Sequence, residues 1–216
     1  MKRFQLGPAG VLWTGRAELH LGPGVLPDVM RFPLRQVHGR SVVVVDDVLD
    51  AGIEADASVT RRSDIALAIA TADCAPIALA SDEGVIGAVH AGWRGLHTGV
   101  IENAVRQMRK LGAGTVVAAL GPCICVDCYE FDGPELEQMS VMFGDSVVGT
   151  TKQRTRALNM RSAVASACTM ANAKLAYSDD SCTSCDPNYF SFREDNTSDR
   201  QVMLVRRDNE HEPLHG

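Results

Sequence analysis

The sequence predicts a single α/β domain over residues 1–216, and three observations predict it. A chain of 216 residues, 45% hydrophobic and 22% charged, supplies enough apolar material for one sizeable core. Short apolar runs bounded by Gly, Pro and Asp alternate with segments whose apolar residues recur at helical spacing. No internal repeat, linker or low-complexity stretch divides these segments.

Composition also narrows the function classes. The formal charge of -6 and a pI near 5.5 argue against a nucleic-acid partner, because such binding needs clustered Lys and Arg. No segment has the length and purity of a membrane span. Met1 to Pro8 carries two basic residues without an apolar core behind them, so no signal peptide is expected and the cytoplasm is the default compartment. Seven cysteines in such a chain are expected as thiols, free to act as ligands or nucleophiles, rather than as a disulfide framework.

Taken in order, residues 11–20 read as a strand or an opening hairpin, followed by a loop punctuated by Gly22, Pro23, Gly24 and Pro27. The consecutive valines from Val42 to Val45 read as a buried strand, with His38 just before it. Asp46, Asp47, Asp50, Glu54 and Asp56 then form an acidic connection, expected to be solvated. Residues 65–70 and 77–80 read as two strand segments around a kink that Pro76 enforces and that holds Asp73 and Cys74. Residues 85–89 form a strand delivering His90 into Ala91-Gly92-Trp93-Arg94-Gly95, a tight turn opening a helix. Apolar spacing from Val100 to Leu111 continues that helix, and Gly112 stops it. Residues 115–120 form another strand, 134–143 a short helix that Pro134 can start, 162–171 an alanine-rich helix with Cys168 in its core face, and 201–205 a last strand. Residues 211–216 read as a frayed polar end.

Three constellations carry chemistry. His38, Cys74 and His90 each stand at a strand end or in a kink beside one. Two imidazoles and a thiolate suit zinc, and three protein ligands leave a fourth position for water or substrate. The same residues fit a cysteine nucleophile, with Cys74 attacking, His90 or His38 as base and amides near Gly92 holding an oxyanion. The third constellation, Cys125-x-x-Cys128 with Cys182-x-x-Cys185, matches a four-thiolate structural zinc or iron–sulfur pattern. Asp73 can serve as a general base or cap nearby amides. Arg40, Arg94 and Arg193 are candidate anion clamps, and Trp93 can stack on a planar base or cover the core.

Five motifs occur in one order: Gln36-Val37-His38-Gly39, Asp56-Ala57-Ser58-Val59-Thr60, Thr71-Ala72-Asp73-Cys74-Ala75-Pro76, His90-Ala91-Gly92-Trp93-Arg94-Gly95, and Gly121-Pro122 through Cys128-Tyr129-Glu130. In this the chain resembles the YfiH-like proteins, the family labelled multicopper polyphenol oxidase or laccase domain and also peptidoglycan editing factor, over about residues 10–206. The resemblance implies a single-domain αβ sandwich with a mixed sheet. It implies zinc at His38, Cys74 and His90, and phosphorolysis of purine nucleosides (adenosine, inosine, guanosine, methylthioadenosine) together with adenosine deamination. Under it, Asp73, Cys74 and Arg94 are the expected catalytic residues, and Gln36, Arg40, Trp93 and Cys128 the expected substrate contacts. One His/Cys/His set is too small for the several coppers of a laccase. Thr197-Ser198-Asp199-Arg200-Gln201 departs from the Thr-Gly-Arg-Gln usual in the family, and Cys125 and Asp127 vary the loop before Cys128. The alternatives are a Cys/His hydrolase editing peptidoglycan precursors and a non-enzymatic zinc or small-molecule-binding module.

Overall fold

The computed structural model describes residues 1–18, 30–45 and 52–208. The residues around Gly22 to Pro27, Asp46, Asp47 and Asp50, and 211–216, on which sequence expectations fell, lie outside the described residues.

Of residues 11–20, expected as a strand or an opening hairpin, 11–13 end β2 (Ala9–Trp13), which pairs backward through a turn at Gly7 with β1 (Lys2–Leu6), so the hairpin lies before the expected stretch. Next come β3 (Met30–Pro33), β4 (Val42–Val44), β5 (Ala57–Thr60), β6 (Ile65–Thr71), β7 (Ala75–Ser81) and β8 (Ile86–Ala91). Two helices follow, α1 (Trp93–Thr98) and α2 (Val100–Lys110). Gly99 separates them at φ 85°, a conformation glycine adopts without strain, so the single helix expected from Gly95 onward is two. The remaining elements are β9 (Val116–Leu120), α3 (Pro134–Phe143), β10 (Val148–Thr150), β11 (Arg156–Leu158), α4 (Met160–Met170), β12 (Ala173–Ser178), the single turn α5 (Phe192–Asp195) and β13 (Gln201–Arg207).

Two mixed sheets organise these elements. The larger runs β12-β9-β7-β8-β5-β4 and the smaller β1-β2-β13-β6-β3, while β10 and β11 form a separate pair. Period-two alternation assigns the faces. Along β7, Ile77 and Leu79 point toward the helices, whereas Ala78 and Ala80 point toward the smaller sheet. There they meet Ile65, Leu67 and Ile69 of β6, Val11 and Trp13 of β2, and Met203 and Val205 of β13. On the other face, α2 packs Val100, Ile101, Ala104, Val105 and Met108, α4 packs Met160, Ala163, Val164, Ala167 and Cys168, and α3 adds Leu136, Met139 and Phe143. The result is a layered αβ sandwich of helices, larger sheet and smaller sheet, with β7 and β8 buried on both faces.

Three local expectations are corrected. The valine run forms β4, a half-buried edge strand whose ladder partner among the described residues is β5, because β5 holds the interior position between β4 and β8. Pro76 lies inside β7, in register with His90. Its carbonyl accepts from Gly121 just past the end of β9, a place in the ladder where a missing amide costs little. The break falls instead at 72–74, where the chain leaves the smaller sheet at the end of β6 and enters the larger sheet at β7. Asp56 is fully buried rather than solvated.

A candidate metal centre in an open cleft

The three residues singled out as zinc ligands converge, although 36 positions separate Cys74 from His38. The His38, Cys74 and His90 ligand atoms all lie within 4.8 Å of one another, with Cys74 Sγ 3.8 Å from His38 Nε2. Each arrives by a different element. His90 is carried near the end of β8, Cys74 stands immediately before β7, and His38 sits in the loop before β4.

Asp56, immediately before β5, explains why these three meet. Its Oδ1 bonds His90 Nδ1 at 2.8 Å and accepts the His38 amide at 2.8 Å, while Oδ2 accepts the Gly39 amide at 2.6 Å. One buried carboxylate therefore orients one imidazole and anchors the turn that presents the other. His38 occupies the left-handed region at φ 59°, a conformation a non-glycine residue keeps only when its surroundings dictate it. With Nδ1 engaged, His90 turns Nε2 toward the thiol and the other imidazole, the usual support of a metal-binding histidine. Asp56 belonged to a recognised motif, but its role was not read from the sequence.

The glycines of the turn have separate reasons. A Cβ on Gly92 would stand 2.9 Å from His38 Cδ2 and 3.2 Å from Cys74 Sγ, and one on Gly95 would stand 3.0 Å from the Gly39 carbonyl oxygen. The helix start must pass this closely for the site to form.

The electrostatics favour a deprotonated thiol. Burial pushes the Cys74 thiol up, but hydrogen bonds with His38 and His90 more than reverse this and bring it down to about 7. Burial pulls the His90 imidazole down, and the bonds to Asp56 and Cys74 overcome it and hold the ring up at about 9. At Asp56 burial opposes ionisation, yet the His90 ring and the Gly39 and His38 amides keep the carboxyl below its ordinary value. Two imidazoles and a low-lying thiolate with an outer carboxylate make a donor set that fits zinc.

These residues line an open cleft of about 650 Å³ shared with Gln36, Asp73, Trp93, Arg94, Tyr129, Phe192, Arg193 and Arg200. Trp93 meets Phe131 edge to face, with ring centroids 5.3 Å apart, and the Arg94 guanidinium lies 4.5 Å from the Trp93 ring centroid. Arg193 lies 5.1 Å from the Tyr129 ring centroid and donates to the Glu130 carbonyl. Burial raises the Tyr129 hydroxyl to about 12, so that it remains protonated across the neutral range. Phe192 is 55% exposed, an aromatic face available at the cleft. Of this wall, Phe192 was not read from the sequence as a site residue, and Tyr129 entered only as part of a motif.

Four expected roles change in emphasis. Asp73 is buried and both its carboxylate oxygens are engaged, Oδ1 by the Thr183 hydroxyl and Oδ2 by the Arg193 amide, each at 2.7 Å. It thus caps the incoming loop, the second of its two sequence readings. Gln36 lines the cleft, but its amide group bonds both the amide and the carbonyl of Ala70, a positioning arrangement. Arg40 is outside the cleft lining, its guanidinium directed toward the Thr98 carbonyl at 3.5 Å. Cys128 is also outside it; its Sγ lies 3.1 Å from Cys185 Sγ within the second cysteine group.

Fold and site together define a class: a layered α/β protein with a His/Cys/His donor set at an aromatic and arginine-walled cleft. The family described as multi-copper polyphenol oxidoreductase laccase matches residues 21–208, and the chain belongs to it. The chain is 38% identical over 199 residues to a purine nucleoside phosphorylase of Streptomyces griseus, covering 88% of this chain and 78% of that protein. In fold it is similar to a Neisseria meningitidis protein (TM-score 0.83, 20% identity, 96% of this chain and 99% of that one). It is likewise similar to the Bacillus licheniformis protein YfiH (TM-score 0.78, 22% identity, 89% of this chain and 80% of that one). No helix among the described residues is long and apolar enough to cross a membrane.

Proposed function

We propose that the cleft is the active site of a zinc-dependent purine nucleoside phosphorylase that also deaminates adenosine. The observation that carries this reading is the convergence of His38, Cys74 and His90 within 4.8 Å in a cleft that also presents three arginines and several aromatic faces. The name of the Streptomyces griseus relative supports the phosphorylase reading. A single three-donor set suits one ion and is too small for the cluster of coppers that oxygen reduction requires.

In this reading His38, Cys74 and His90 would hold a zinc ion, which would supply Lewis acidity to the cleft. The protein's own groups do the rest. Arg94, Arg193 and Arg200 gather phosphate by forked, charge-assisted hydrogen bonds. Trp93 and Phe192 offer faces on which a purine stacks. The protonated Tyr129 hydroxyl can donate into the cleft, and Asp56 keeps His90 in one tautomer. Asp73 positions the Arg193 segment rather than moving a proton. In this reading residues 1–216 act as a single domain, in the cytoplasm, on small nucleosides and phosphate.

The test measures phosphate-dependent release of hypoxanthine from inosine, with metal content determined on the same sample. Turnover that requires phosphate and disappears with Cys74→Ala is expected; metal-replete protein without turnover on any purine nucleoside overturns the proposal. A second reading, a Cys/His hydrolase, is favoured specifically by the Cys74 thiol lying near 7 beside His38. It requires activity that chelators spare and iodoacetamide abolishes.

A further inference from the structure

We propose that Cys125, Cys128, Cys182 and Cys185 bind a second, structural zinc ion that braces one wall of the cleft. Cys125-x-x-Cys128 lies in the connection after β9 and Cys182-x-x-Cys185 in the connection after β12. These strands are parallel neighbours, so both loops leave the same end of the sheet side by side. An isolated parallel bridge between Cys123 and Cys182 carries the pairing into the loops.

The four sulfurs all lie within 4.8 Å of one another, and all four cysteines are free thiols. The Cys128 to Cys185 and Cys125 to Cys185 separations are 3.1 and 3.9 Å. Four sulfurs at about 2.3 Å from one tetrahedral ion stand roughly 3.8 Å apart, so this spacing surrounds a single ion. Disulfide sulfurs stand at about 2.05 Å, well inside these separations. The Cys125 amide donates to Cys182 Sγ at 3.2 Å, and Lys152 Nζ lies 3.9 Å from Cys185 Sγ, both favouring thiolate charge. Soft thiolate ligands suit zinc and not the hard cations magnesium and calcium.

The position gives the ion a purpose. Thr183, next to Cys182, bonds Asp73, which in turn holds the Arg193 amide, and Tyr129, next to Cys128, lines the cleft. A tie between the two loops therefore fixes Tyr129 and Arg193 from behind, and the ion itself stands apart from the His38, Cys74 and His90 donors.

The experiment uses the full chain carrying Cys74→Ser, which dismantles the first centre. Purified under reductant, this protein is expected to retain about one zinc per chain, and after exchange with cobalt alone to show intense thiolate-to-cobalt charge transfer with tetrahedral visible bands. Adding Cys125→Ser and Cys128→Ser removes both the metal and the bands. Folded Cys74→Ser protein that holds no zinc and leaves Cys125, Cys128, Cys182 and Cys185 open to thiol titration overturns the proposal. So do intramolecular disulfides among the four cysteines in the protein as isolated. Since the Cys74→Ser protein decides the matter alone, misfolding of the triple variant leaves the answer intact, and the result is independent of phosphorolysis.

Discussion

Asp56 and His90 form the buried contact on which the candidate metal centre rests: Oδ1 and Nδ1 are 2.8 Å apart, with Asp56 fully buried and His90 3% exposed. The same carboxylate takes the amides of His38 and Gly39, so one side chain prepares two of three ligands. Replacing Asp56 with Asn keeps the shape but removes the charge and can no longer accept from every one of these donors. Zinc affinity is expected to fall by about 10- to 100-fold, measured by chelator competition. Asp56→Ala is expected to lower thermal stability further, because it leaves the buried His90 Nδ1 and the His38 and Gly39 amides without this partner. Unchanged zinc affinity in Asp56→Asn would refute the orienting role.

Gly92 isolates crowding from backbone strain, since its φ of -74° suits any residue while its missing Cβ would touch His38 and Cys74. Gly92→Ala is expected to cost about 1–3 kcal/mol and to displace the ligands. Metal content per folded chain should drop much more than circular dichroism changes. A variant that loads zinc normally would show that the turn can give way.

The Cys74 and His90 shifts have opposite signs and share a window. In chelated protein the Cys74 thiol, lowered from 9 to about 7, contributes stability present in full above pH 9 and lost as pH falls through 7. The His90 ring, raised from 6.5 to about 9, contributes stability present in full below pH 6.5 and lost as pH rises through 9. Both groups are charged between about pH 7 and 9. Iodoacetamide should therefore alkylate Cys74 with a midpoint near pH 7, and His38→Ala should move that midpoint upward. A midpoint already near 9 in the wild-type apoprotein contradicts the pairing.

The arginines separate by position. Arg94 and Arg193 line the cleft and Arg40 does not. Arg94→Ala is expected to weaken phosphate by about tenfold or more, as loss of charge-assisted hydrogen bonds does. Arg40→Ala should leave the phosphate dependence of inosine cleavage nearly unchanged. Equal effects of the two substitutions would place the anion elsewhere.

Aromatic contact with the base can be checked through Phe192, exposed at the cleft. Phe192→Ala should raise KM for inosine several-fold with the metal content intact, since a stacking face is worth about 0.5–1.5 kcal/mol. A changed zinc stoichiometry would instead tie Phe192 to the folding of the wall.

What could be read from the sequence was local. Apolar runs ending in His90 and Cys74, the glycine-rich turn from Gly92 to Gly95, and the spacing of α2, α3 and α4 follow from periodicity and from what a strand end can present. The ordered motifs were sufficient for family and fold. Strand periodicity says which residues share a face, but not which sheet a strand joins, and so residues 65–70 and 77–80 read as two strands about a kink with no sign that β6 and β7 belong to different sheets. The tertiary structure alone turned Asp56 inward, placed Arg40 outside the cleft lining and Cys128 in the four-cysteine group, and brought Phe192 and Arg193 to the cleft. These outcomes depend on strand order and on contacts between residues up to 120 positions apart, as between Arg193 and Asp73. Packing of whole layers sets such contacts, and no local pattern encodes them.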